Sequence, residues 1–139
     1  MTDATKPFYL KFPTNESCIL YLENVRWGSI PKCPRCGFSS FSQIRNKSAY
    51  HCNYCNRTFT VTMQTVFHKS KIDLQKWFYA ICATVHPTDK ITARDLAEKL
   101  EIAKDTAWAI QKKIKTGLVS SPNLLLIIDK NLNELYVNK

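Results

Sequence analysis

Between residues 31 and 72 the chain has no aspartate and no glutamate. Nothing in that stretch can neutralise its seven basic side chains: Lys32, Arg35, Arg45, Lys47, Arg57, Lys69 and Lys71. The formal net charge of the whole chain is +9, and most of the excess lies here. A concentrated basic segment of this kind points to a polyanion, with nucleic acid the first candidate. Two further absences set the context. No apolar run reaches the ~18 residues of a membrane-spanning helix. The N-terminus, Met1 to Lys11, has no apolar signal-peptide core. The cytoplasm is therefore the default compartment, where thiols stay reduced and disulfides are not expected.

Four of the six cysteines lie within the acid-free stretch, as Cys33-x2-Cys36 and, fifteen residues later, Cys52-x2-Cys55. Two such pairs at this spacing are a zinc-site pattern. Zn²⁺ takes four thiolates in a tetrahedron with Zn–S near ~2.3 Å, and each C-x-x-C turn aims two sulfurs at one point. Gly37 and Asn56 follow the two pairs, where such a turn needs positive φ. "FSQIR" and "SAYHC" read as short strands around a turn at Asn46-Lys47. "TFTVTM" alternates, with Phe59, Val61 and Met63 on one face. The expectation is a zinc ribbon of three short antiparallel strands holding one structural Zn²⁺. Four closed ligands leave no position for water, so the metal has no catalytic role. Four thiolates with Zn²⁺ carry about −2, so the segment stays basic after metal binding. Cys18 and Cys82 sit on apolar helix faces as buried small hydrophobes. His51 is a surface aromatic rather than a fifth ligand.

The second half is helical. Leu74, Trp77, Phe78, Ile81, Cys82 and Val85 recur at i, i+3, i+4 spacing, with Asp73 as cap and Pro87 as stop. Thr92 with Asp95 forms a capping box for a short helix carrying Leu96, Ala97 and Leu100. Ala107, Ile110 and Ile114 make the buried stripe of the next helix, ended by Gly117. This is helix-turn-helix grammar, which lays its second helix in the major groove of DNA. The face opposite the stripe carries Asp105, Trp108, Ala109 and Lys112, with Lys104, Lys113 and Lys115 beside it. Those lysines would set affinity and salt dependence. Trp108 either stacks on DNA or packs against the ribbon. Glu101 stands where the turn usually has Gly, and Ala103 where a capping Ser or Thr would help.

At the N-terminal side, "TNESCILYLENVRWG" reads as a short helix stopped by Gly28, covering one side of the small sheet. At the C-terminal side, "LLLIID" and "ELYV" around the polar "KNLN" read as two strands of a hairpin. A lone hairpin is marginal, so Leu124 to Val137 needs the helical domain, a second copy or a protein partner. The resulting fold is small α+β. Residues 1–30 form a helical lead-in, 31–66 the zinc ribbon, 67–118 a three-helix helix-turn-helix domain, and 119–139 a linker and C-terminal β-hairpin.

These residues line up with a family. "RWG", "CPRCG", "YHCNYCNRTFTVTMQTVFHKSKIDLQKWFYAI" and "LAEKLEIAKDTAWAIQKKI" resemble the N-terminal region of zinc-ribbon insertion-sequence transposases. The resemblance runs from residue 16 to about 118. Its most specific parts are the four cysteines, the F-x-V-T-x-x-T-x-F run from Phe59 to Phe67, and Lys76-Trp77-Phe78. It implies a ribbon and helix-turn-helix that bind the element's DNA ends. In the family an RNase H-like domain follows, with an acidic triad holding two Mg²⁺. Asp129 falls where the first catalytic Asp would be, but Glu134 is the sole acidic residue after it. Three carboxylates are needed to clamp two metals. "DKNLNELYV" also departs from the family's Asp-Glu-Thr-Tyr run, and Asp129 reads as a turn residue. The expectation is a non-enzymatic, sequence-specific, nucleoid-associated binder of double-stranded DNA. The alternative is an interaction module that docks on a larger protein or nucleic-acid assembly through the ribbon and the hairpin.

Overall fold

The computed structural model describes residues 3–28, 30–44, 49–85 and 91–137. Two helices come first, α1 (Lys6–Lys11) and α2 (Asn15–Trp27). Three strands follow, β1 (Phe41–Gln43), β2 (Tyr50–Cys52) and β3 (Thr58–Phe59). Four helices complete the order, α3 (Leu74–Val85), α4 (Ala93–Leu100), α5 (Lys104–Ser120) and α6 (Pro122–Val137). The small α+β class holds. The chain forms two compact units: Glu16–Ser70, and Met1–Asn15 together with Lys71–Lys139. Among the described residues no helix is long and apolar enough to cross a membrane.

The ribbon unit is an antiparallel sheet in the order β1-β2-β3. Phe41 pairs with Cys52, Gln43 with Tyr50, and Tyr50 with Phe59. Because strand side chains alternate, this register gathers Phe41, Tyr50, Cys52 and Phe59 on one face and leaves Ser42, His51 and Thr58 on the other. Helix α2 closes the apolar face. Its Trp27 ring meets Tyr50 and Phe59 edge-on at 5.8 and 5.7 Å. Tyr50 Oη donates to Glu23 Oε2 at 2.8 Å. Gly28, at φ +72°, ends the helix where the sequence placed its stop. The turn at Asn46-Lys47 lies outside the described residues.

Helix α3 is the centre of the helical unit. It is buried on every side, not on one stripe, with Trp77 through Ala83 continuously covered. Its neighbours are α1, α5 and α6, and α4 packs on α5. Helix α4 begins as the capping box requires: the Thr92 hydroxyl accepts from Asp95 N at 3.1 Å. It ends at Glu101 in the left-handed region, φ 56° and ψ 48°. That conformation favours Gly, and here the N–H of Ile102 returns to Ala97 O at 3.1 Å to close the helix end. Ala103 starts α5 without a side-chain cap. Pro87 and His86 lie outside the described residues.

Several expectations are corrected. Residues 122–137 form helix α6, not a hairpin. Pro122 opens it at a first-turn position that needs no N–H donor. Leu125, Ile128, Leu132 and Tyr136 then fall on one buried stripe at helical spacing. The proposed route to a partner by strand addition lapses with the hairpin. Asp129 is accordingly a mid-helix residue, not a turn residue. Helix α5 runs through Gly117 to Ser120, because Leu118 and Val119 continue it and the stop comes at Pro122. The strand expected over "TFTVTM" is only Thr58–Phe59. Past it the chain turns, with Gln64 at φ 62°. The Arg26 guanidinium takes the Val61 and Met63 carbonyls at 2.6 and 2.8 Å, which stands in for a strand partner. Helix α1 was not anticipated; its Phe8, with Phe12 just beyond, packs on α3 through Tyr79 and Phe78.

Candidate metal centre and nucleic-acid interface

The two cysteine turns repeat one backbone plan. Gly37 N donates to Cys33 O at 2.8 Å, and Asn56 N to Cys52 O at 2.9 Å. Cys33 N donates to Phe38 O at 3.1 Å, and Cys52 N to Arg57 O at 2.8 Å. Gly37 and Asn56 take φ of +77° and +61°, as the sequence required of them. A local two-fold relation thus equates Cys33–Phe38 with Cys52–Arg57. Each turn leaves N–H groups aimed inward, including Cys55 N toward Cys52 Sγ at 3.4 Å.

All four sulfurs lie within 4.8 Å of one another. Cys36 and Cys52 are 3.5 Å apart, and Cys33 and Cys55 3.7 Å. A tetrahedron with Zn–S of ~2.3 Å has sulfur–sulfur edges of about 3.8 Å, so the cage fits Zn²⁺. The protonation pattern gives an independent test. Backbone donation from Cys55, then Tyr54, holds the Cys52 thiol down at about 6 against the opposing effect of burial. Burial pushes Cys33 up, yet donation from the Cys36 and Arg35 N–H groups leaves it lowered overall. The Phe38 N–H favours the Cys36 thiolate, but burial and the Cys52 and Cys33 sulfurs push that thiol up to about 11. Burial first, then the same two neighbours, raises Cys55. Cys33 and Cys52 are thus shifted toward the thiolate, while burial and those two sulfurs shift Cys36 and Cys55 the other way. A divalent cation removes that conflict, and the four cysteines hold one structural zinc. His51 is not in the cage; its Nε2 lies 2.8 Å from Asn56 Oδ1. Cys18 and Cys82 are buried elsewhere.

The basic residues divide by location. Arg35 and Arg57 are exposed on the two cysteine turns, and Arg35 Nη1 donates to Thr58 O at 3.0 Å. Lys69 and Lys71 are exposed after the ribbon. Arg45 and Lys47 lie outside the described residues. On α5, Ala107, Ile110 and Ile114 are buried. Lys104, Asp105, Trp108, Ala109, Lys112, Lys113 and Lys115 are all exposed. Trp108 is 57% exposed, and Lys112 Nζ lies over its ring at 5.0 Å. One exposed pair was missed in the sequence: Phe38 and Tyr54, with ring centroids 4.1 Å apart and an interplanar angle of 37°. Their positions relative to the cysteines carried the signal, since the turn geometry brings the two loops together.

Residues 13–58 match a protein family described as the transposase zinc-ribbon domain. That span takes in helix α2 as well as the cysteines. A protein of Halobacterium salinarum, described as an uncharacterized protein in the transposable element ISH50, is 28% identical over 120 residues. The match covers 84% of this chain and 40% of that relative, so the chain spans well under two thirds of its length. No solved structure matches the chain. Sulfur geometry, the helix packed on the sheet and the family match agree: residues 13–58 form a zinc ribbon similar to the transposase zinc-ribbon domain.

Proposed function

We propose that this protein binds double-stranded DNA sequence-specifically, without enzymatic activity of its own, as a nucleoid-associated factor related to the DNA-binding region of a transposase. Helix α5 enters the major groove and α4 braces it. Arg35 and Arg57 of the ribbon, with Lys69 and Lys71, add contacts to phosphates. One observation carries this reading. Asp105, Trp108, Ala109 and Lys112 form one exposed face of α5, opposite the stripe that packs it into the helical unit, with Lys104 beside them. Base edges are read by such a face, while flanking Lys113 and Lys115 meet the backbone. The description of the Halobacterium relative as part of a transposable element supports the same partner.

The non-enzymatic part of the reading rests on Asp129. An RNase H-like triad draws its carboxylates from a sheet, and this residue sits in the middle of α6 instead. Fluorescence anisotropy with duplex DNA at several salt concentrations tests the whole reading. The double variant Lys112→Gln/Lys113→Gln should weaken duplex binding and, through the phosphate contact of Lys113, reduce the log–log salt slope by about one. Asp129→Asn should leave binding unchanged. Absence of duplex binding at low salt rejects the proposal.

A further inference from the structure

The ribbon buries most of its large aromatics and leaves two outside. Trp27, Phe41, Tyr50 and Phe59 pack together beside the cysteines. Phe38 and Tyr54, one from each cysteine turn, meet in a tilted ring contact and are 49% and 66% exposed. The local two-fold relation makes their placement informative. It equates Tyr54 with Arg35, each third in its C-x-x-C, and Phe38 with Arg57, each two residues past its second cysteine. Phe38 and Tyr54 are therefore in contact, while the positions equivalent to them hold the exposed Arg57 and Arg35. The stretch that supplies both has no carboxylate to repel an anion.

We infer that the Phe38–Tyr54 pair is a stacking platform for an unpaired base of single-stranded DNA, with Arg35 and Arg57 serving the adjoining phosphates. A base has two apolar faces and carries its charge on a flexible backbone. Two exposed rings, with an exposed arginine on each of the same two turns, fit that chemistry. A duplex offers no free base face, so this element is distinct from the α5 face. The inference rests on nucleic acid being the partner but not on α5 being its reader. A purely structural role for the pair, as a clip between the turns, predicts a different result and is separated by the test.

The test uses the full zinc-loaded chain and three labelled probes: a blunt duplex, the same duplex with a short thymidine overhang, and a free oligothymidylate. Wild-type protein should bind the overhang probe about tenfold more tightly than the blunt one, within the five- to hundredfold range of one aromatic–base stack. Tyr54→Ala should abolish that increment while leaving blunt-duplex affinity and zinc stoichiometry unchanged, and Tyr54→Phe should retain it. Phe38→Leu keeps an apolar side chain without a π face, and should lose the increment even if Tyr54→Ala disturbs the turn. Lys112→Gln/Lys113→Gln should weaken both duplex probes equally and keep the increment. If blunt duplex does not bind at all, oligothymidylate binding lost in Phe38→Leu still supports the platform while the α5 reading falls. Equal wild-type affinity for blunt and overhang probes overturns the inference. So does an increment that survives Phe38→Leu, or variants that lose zinc but not the increment.

Discussion

The ribbon and the helical unit are held together by different means. Four buried residues make up the ribbon's central cluster, Cys33, Tyr50, Cys52 and Phe59, and two of them are metal ligands. Its strands are two or three residues long. Such a sheet cannot bury enough carbon to offset the entropy of ordering it, so the metal must supply the difference. The helical unit has Phe8, Trp77, Phe78, Leu96, Ile114, Leu125 and Ile128 fully covered, and needs no ion. The lesson is that one chain can stabilise a rigid small platform by coordination and a larger body by burial. The main source of stability in each can then be perturbed without removing the other's.

Removing the metal should give the largest effect. Chelation removes a free energy on the order of 10–16 kcal/mol from the ribbon, and Cys52→Ser removes part of it. Ribbon signals, including those of Trp27, should be lost while far-UV helicity from α3 to α6 persists. A ribbon that keeps its resonances in excess chelator would break the comparison. The reverse perturbation is Ile128→Ala, which empties part of the α3–α6 contact. It should lower the stability of the helical unit by about 2–4 kcal/mol. Zinc content should remain at one per chain, measured by elemental analysis beside a denaturant melt.

The smallest effect concerns Tyr50. Burial, then the hydrogen bond and charge of Glu23, push its phenol up to about 12. The folded ribbon therefore favours the protonated form. That contribution is fully present below the ordinary tyrosine range near ~10 and is lost as pH rises through about 12. Tyr50→Phe should remove this alkaline loss and cost about 1 kcal/mol at neutral pH, since Glu23 can turn to water. Melts of wild type and variant at neutral pH and above 10 check both statements.

What the sequence disclosed divides along the same line. The cage was legible because coordination is local chemistry: C-x-x-C spacing, then a residue tolerant of positive φ at 37 and 56. The Thr92 cap was legible for the same reason; Glu101, which counted against the turn because Gly is usual there, takes the left-handed conformation all the same. Helix α6 was not. "LLLIID" is a short apolar run that suits a buried strand as well as a helix, and periodicity alone cannot separate them. The decision comes from α3, whose all-round apolar surface demands helical partners on every side. The premature end of β3 was hidden too, because it depends on Arg26, thirty-five residues away in sequence from Val61. The aromatic pair at 38 and 54 belongs to neither case: each residue is visible, but their contact exists only once the two turns are folded side by side.

The helical unit is interrupted by the ribbon in chain order, since α1 precedes residues 16–70 and α3 follows them. Phe12 O accepts from Gln75 Nε2 at 2.7 Å, so the two ends of that detour are fastened to each other. Tethering through a loose coil is harder than tethering through a folded bridge. A zinc-filled bridge shortens the effective detour, which favours docking of the first helix by on the order of 1 kcal/mol. Loss of the metal would then loosen the seating of α1 on α3 by that small amount while α3 to α6 stay folded.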